Sequence, residues 1–383
     1  MTRCAYIDGR ILGDAGWVDG HALIVDGGKI VAIVPQDTLP ADLARQGVAG
    51  QFIVPGFIDL QVNGGGGILF NDAPNVDAVA AIAAAHHPYG TTALLPTLIS
   101  DDLPTIAAGV GAVETAIARG TPGIVGIHIE GPFVNPARRG IHDAAKISAL
   151  DDAGIAAVSA LQNGATLVTL APEECGIDQI AALAARGVTL AAGHSEADFA
   201  TASAAFAHGV TGVTHLFNAM RQIMPREPGL VGAALANDAT WCCIIVDGKH
   251  VHPANFRLAI AAKGGPDRFI LVTDAMPTVG SAEKSFMLGG KLMRVIDGVC
   301  QADDGTLAGS DLDMAGAVRA AVEMLGLSLE EAVRMASINP ARFMGLDGQR
   351  GSLTVGKAAD FVLLDHDLQV TATYIAGTAV YQH

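Results

Sequence analysis

The chain is short of the residues that bind polyanions. Its 23 Lys and Arg face 39 Asp and Glu, for a formal net charge of −16. No basic stripe large enough to offset that field is present, which argues against general nucleic-acid binding and attachment to anionic membranes. A small anionic substrate held by a few local cations is still allowed. Cysteine is scarce too: Cys4, Cys175, Cys242, Cys243 and Cys300, with no CxxC pair. An odd number without metal spacing reads as buried free thiols in a reducing compartment, not as a disulfide framework. Aromatic residues make up only 5% and charged residues 16%. No run of about 18 apolar residues occurs, so no spanning helix is expected. The opening MTRCAYIDGRILGD puts an aspartate where a signal peptide needs an apolar block. The expected location is cytoplasmic.

What the chain has instead is aliphatic bulk. Half of its 383 residues are hydrophobic, enough for one large domain or two unequal ones. ALIVDGGKIVAIVP (22–35) reads as two short strands around a Gly-Gly hairpin turn. The stretch 351–381 has the same texture of short strands rich in Val, Leu, Tyr and Thr. Between these ends, eight apolar runs recur: QFIVPGFIDL, TTALLPTLI, GIVGIHIE, ATLVTLAP, VTLAAGH, GVTHLF, CCIIVDG and FILVTDAM. They are unbroken, as strands buried on both faces must be. Alanine-rich, helix-compatible segments separate most of them. This alternation predicts a (β/α)8 TIM-type barrel over 54–349. A small β-sandwich domain built from both termini, 1–53 and 350–383, is expected beside it. A doubly wound open sheet is the alternative, weakened by the absence of GxGxxG after the first strand. Ser328-Leu-Glu-Glu331 is a capping box, and its helix is expected to end near Asn339-Pro340.

Polar residues cluster where the apolar runs end. They are Asp59, Gln61 and Asn63; His128 and Glu130; His194; His215 and Asn218; Asp247, Lys249 and His250; and Asp274. In a barrel these ends converge on the C-terminal mouth. A single histidine is more often a satisfied polar residue than a ligand. Two histidines and a glutamate at equivalent points of the repeat are another matter. Glu130, His194 and His215 form a carboxylate–imidazole–imidazole set of the kind that leaves a coordination position open for water. Zn²⁺ suits it, as do Fe²⁺, Co²⁺ and Mn²⁺. Asp274 reads either as a helix N-cap or as a general base. The glycine run 64–67 lacks a Walker lysine and reads as a tight turn.

Taken in order, PGFIDLQVNG (55–64), GIHIEGPFVN (126–135), AGHSEAD (192–198), THLFNAM (214–220), REPGLVG (226–232), DGKHVHP (247–253), LVTDAM (271–276) and LAGS (307–310) resemble the N-acetylglucosamine-6-phosphate deacetylase family of the amidohydrolase superfamily. The resemblance implies hydrolysis of the N-acetyl group of an amino-sugar phosphate. It also implies one divalent metal ion per subunit, Zn first, on Glu130, His194 and His215. It assigns the base to Asp274 and carbonyl polarisation to His142 of RRGIH. It gives sugar-phosphate contacts to Asn218, Ala219 and His250. Arg226 matches an arginine contributed to the neighbouring subunit of a homodimer. Many amidohydrolases hold a second metal on an HxH motif and a carboxylated lysine. Here Gln61-Val62-Asn63 replaces HxH and the fourth run ends in LAPEE, so a single-metal site is expected. A cyclic-amide or dipeptide hydrolase, and a non-catalytic sugar-phosphate binder, are the rival readings.

Overall fold

A computed structural model describes residues 3–383; the first two residues of the expected terminal segment lie outside it. All eight apolar runs are strands, which we number β1 (Phe57–Val62), β2 (Thr91–Ile99), β3 (Gly126–Glu130), β4 (Ala165–Leu170), β5 (Thr189–Ala192), β6 (Val210–Val213), β7 (Trp241–Ile244) and β8 (Phe269–Leu271). They form one parallel sheet in chain order. A parallel bridge between Val62 and Ala275 spans the gap between the first strand and the chain leaving the last. The result is a nearly closed TIM-type barrel.

Period-2 side chains divide its core in two. Ile58, Leu60, Leu95, Leu167, Cys243 and Ile270 fill the interior, with Phe343 and Trp241 at its base. Alternate residues such as Leu98, Ile129, Val168 and Leu190 pack outward on helices, including Leu103–Ala118 and Met314–Leu325. Asn75, Asp151, Asp198 and Asp313 cap four of the outer helices through their side chains, filling donors that the first helical turn leaves free. Strand β1 carries one extra residue: Leu94 and Pro96 of β2 face Asp59 and Val62. Such a bulge re-aims side chains beside a functional rim.

Both termini build the flanking sandwich. A six-stranded sheet joins Arg10–Gly13, Gly16–Val18 and Phe52–Pro55 to Phe361–Leu364, Val370–Ile375 and Thr378–Gln382. A second sheet pairs Cys4–Ile7, His21–Asp26, Lys29–Pro35 and Ala44–Gly47. Gly27 and Gly28 both take positive φ at the tip of the expected hairpin. Tyr6 bridges the sheets edge-on to Phe361 and Tyr374, with centroids 4.8 and 5.2 Å away.

Two expectations need correction. The capping-box helix stops at Ala336, not at Asn339-Pro340. Ser337 breaks it at φ −134°, and Pro340 lies in the first turn of a new helix, Ile338–Phe343, where proline costs no hydrogen bond. An antiparallel sheet of four strands, Ser285–Leu288, Lys291–Ile296, Val299–Ala302 and Leu307–Ser310, interrupts the barrel after β8. It was not foreseen, and it forms one wall of the site.

His86 ties the first helix to this rim. It is buried, with Nε2 2.9 Å from the Gly64 carbonyl oxygen and Nδ1 without a partner among the described residues. Burial pushes its pKa down to about 4. The folded value lies below the ordinary one, so the unfolded chain binds the extra proton. The stabilising contribution is complete above about pH 6.5 and is lost as pH falls toward 4, by roughly 2–4 kcal/mol. The thermal midpoint should drop across that window, and His86→Gln should flatten the drop. A midpoint equally steep in both proteins would contradict this.

Candidate metal and hydrolase site

Glu130 is the last residue of β3, and His194 and His215 lie two residues beyond β5 and β6. His194, His215 and Asp274 all adopt positive φ, at 49°, 33° and 53°. Non-glycine residues rarely do so, and such strain concentrates at functional sites. His194 Nε2 is 3.2 Å and His215 Nε2 3.0 Å from Glu130 Oε1, and the two nitrogens are 3.1 Å apart. All three residues are buried, and their ligand atoms lie within 4.8 Å of one another.

One hydrogen bond fixes the orientation of the His194 ring. His194 Nδ1 is 2.8 Å from the Arg138 carbonyl oxygen. A carbonyl only accepts, so Nδ1 carries the proton and the Nε2 lone pair points at the Glu130 carboxylate. Two lone-pair-bearing atoms in such contact repel unless a proton or a cation sits between them. A mixed N/O donor set with its lone pairs converging fits a divalent transition ion. Burial opposes ionisation of Glu130, yet with protons on the facing nitrogens the two imidazoles donate to it, outweigh burial and hold its carboxyl well below the usual range.

His142 is held differently. Its Nδ1 lies 3.3 Å from the Ser100 backbone N and 2.7 Å from Ser100 Oγ. A backbone N–H only donates, so Nδ1 is the acceptor and Nε2 bears the hydrogen. Burial, then the neighbouring His194, pushes its pKa down to about 3. His142 is therefore a neutral donor, its ring centroid 4.4 Å from that of His194 and the two planes tilted by 54°. Burial and then the charge of Glu130 push Asp274 up to about 6. No helix begins at Asp274, so the N-cap reading falls.

A cavity of about 370 Å³ joins these groups. Glu130, His142, His194, His215, Asn218, Ala219, His250 and Asp274 all line it. Asp247 Oδ2 accepts from His250 Nδ1 at 2.6 Å and orients that ring. Other expected rim residues do not reach the cavity. Asp59 is buried against Thr273, whose hydroxyl donates to it at 2.5 Å, and burial pushes it up to about 7. His128 lies between the Thr97 and Thr169 hydroxyls. Lys249 turns outward toward Asp297 at 3.8 Å. Arg226 is exposed at the tip of a turn closed by Met224 and Glu227. Sequence reasoning missed Ser100 and the apolar wall of Ile99, Ile141, Met276 and Leu307.

A buried Glu–His–His set on the C-terminal rim of a TIM-type barrel defines a metal-dependent hydrolase. The amidohydrolase family profile matches residues 52–380, and that of the NagA composite domain matches 5–53. The chain belongs to the amidohydrolase family, among its N-acetylglucosamine- and N-acetylgalactosamine-6-phosphate deacetylases. It is 44% identical to the N-acetylgalactosamine-6-phosphate deacetylase of Shewanella sp. (strain ANA-3), over 89% of this chain and 86% of that one. The human N-acetylglucosamine-6-phosphate deacetylase is 37% identical over 100% and 95%. The crystal structure of the Pasteurella multocida N-acetylglucosamine-6-phosphate deacetylase superposes with a TM-score of 0.95 at 34% identity, covering 98% and 99%. A mutant of the Mycobacterium smegmatis enzyme, in complex with N-acetyl-D-glucosamine-6-phosphate, superposes at 0.89 and 35% identity, covering 100% and 99%.

Titration of metal-stripped protein with Zn²⁺ should reveal one tight site per chain. His215→Ala should weaken it by about 100-fold or more. Unchanged affinity in that variant would dismiss the triad as the binding site.

Proposed function

We propose that the chain hydrolyses the N-acetyl group of N-acetyl-D-glucosamine 6-phosphate, releasing D-glucosamine 6-phosphate and acetate. The observation that carries this reading is the meeting, in one cavity, of a metal-ligand set, a carboxylate of raised pKa and a neutral imidazole donor. Glu130, His194 and His215 would hold one divalent cation, Zn²⁺ first, with Fe²⁺, Co²⁺ or Mn²⁺ compatible with the same donors. When bound, such an ion makes a water more acidic and draws charge from an acyl oxygen.

The protein groups supply the remaining steps. Asp274 takes a proton from the attacking water, whose oxygen bonds to the acyl carbon. The His142 Nε2–H donates to the acyl oxygen as negative charge gathers on it. Asp274 then returns the proton to the nitrogen, the C–N bond breaks, and the amine leaves. Ser100 keeps His142 in the required tautomer throughout. Asn218, Ala219 and His250 would hold the sugar phosphate, with Asp247 fixing the His250 ring. Arg226 would complete the phosphate site of a neighbouring subunit in a homodimer. Its position supports this: it tips an exposed turn beside Ile223 and Met224, which are 54% and 59% exposed. A phosphorylated sugar does not cross membranes unaided, so a cytoplasmic location accompanies this substrate.

A second substrate reading has its own support. The 44% identity is to an enzyme named for the galactosamine form, so the C4 epimer belongs in the same assay. Acetate release from both sugar phosphates, with and without chelator, tests the activity. No release by metal-loaded protein from either would end the proposal. Asp274→Asn should keep its metal and lose about 10³-fold or more in kcat; near-full activity would remove Asp274 as the base. Arg226→Ala should lose activity on the 6-phosphate far more than on the unphosphorylated sugar. Equal losses on the two would exclude a phosphate contact.

A further inference from the structure

We infer that Gln61 and Asn63 are positioning residues that clamp one oxygen of Asp274 and leave the other as the proton carrier. This rests on the reading of Asp274 as the base. Asn63 Nδ2 donates to Asp274 Oδ1 at 2.6 Å, and Gln61 Nε2 donates to the same oxygen at 3.0 Å. Two donors occupy both lone pairs of Oδ1. Among the described residues no donor reaches Oδ2. The main chain is held as well: the Asp274 carbonyl accepts from Ser310 N at 2.9 Å, and Asn63 N donates to the Ala275 carbonyl at 2.9 Å. The carboxylate therefore has little freedom to rotate, and Oδ2 is the oxygen available to a reacting group.

Gln61 does one thing more. Its Nε2 also donates to Glu130 Oε1 at 3.1 Å, so one amide ties the base to a metal ligand. Gln61 Oε1 and Asn63 Oδ1 are buried and, among the described residues, have no hydrogen-bond partner. Burying unpaired acceptors is unfavourable, and flipping either amide would point its oxygen at a carboxylate. A site needing only bulk at these positions would be better served by apolar side chains. The amides present N–H groups to both carboxylates, and donors meet their negative charge.

The test separates the two amides. Asn63→Leu should lower kcat about 10- to 100-fold, with KM within about twofold and one metal per chain retained. Asn63→Thr, too short to reach Oδ1, should behave alike and covers the case in which the leucine variant fails to fold. Gln61→Leu should lower kcat and also surrender its metal at a chelator concentration about tenfold lower than wild type. Activity within twofold of wild type in both Asn63 variants, or losses confined to KM, would overturn the clamp. Unchanged metal retention in Gln61→Leu would overturn the link to Glu130. An inactive wild type would sink the deacetylase reading, and the chelator experiment would still decide the role of Gln61.

Discussion

Three electron-rich atoms, Glu130 Oε1, His194 Nε2 and His215 Nε2, are brought within 3.2 Å of one another at the rim of the barrel. Left alone they repel, so the surrounding structure must hold them together until a cation repays the cost. The barrel does this with rigid strands. The backbone does it with left-handed turns at His194 and His215, which are dear for side-chain-bearing residues. The Arg138 carbonyl does it by pinning the His194 tautomer. Each device makes sense only if the pocket they create is filled in the working protein.

The same constraint explains the support around it. His128, one turn of the pleat below Glu130, is kept neutral by burial, at about 4, and lies between the Thr97 and Thr169 hydroxyls. Thr169 in turn bonds Thr214 at 2.6 Å, the residue before His215. A charged group here would compete with the cation above it. Hydroxyls satisfy the ring without adding charge, so the floor of the site is polar and neutral.

Much of this was legible in the sequence, and the reason is periodicity. Barrel strands are buried on both faces, so they appear as unbroken apolar runs, and a polar residue at the end of one stands out. His194 and His215 were visible because they recur at the same distance from their strand ends. The links between elements were not visible. Gln61 and Asp274 are 213 residues apart, and Ser100 and His142 are 42 apart. No local pattern encodes such a pairing. The inserted sheet is a different failure. Gly289-Gly290 and Asp297-Gly298 are hairpin signals, and all four residues take positive φ. They are masked by their place in the chain, since the segment falls where a (β/α)8 pattern calls for its last helix. Pro340 misled through its ordinary meaning, since a proline can open a helix as well as end one.

The proposed 6-phosphate makes one electrostatic demand on the site. The chemistry needs lone pairs, a base and a donor, and one chain supplies all of them around the cavity. A phosphate needs positive charge, and the chain as a whole carries −16. Among the residues lining the cavity, the arginine is Arg138, and it is already paired with Glu196. His250 is committed to Asp247. A doubly charged ligand entering this field would need a cation not spent on a carboxylate of its own. Arg226 is such a residue, with no ion pair among the described residues and an exposed position on a projecting turn. Arg226 does not line the cavity of its own chain, and the proposed homodimer would bring it to that of a neighbouring copy.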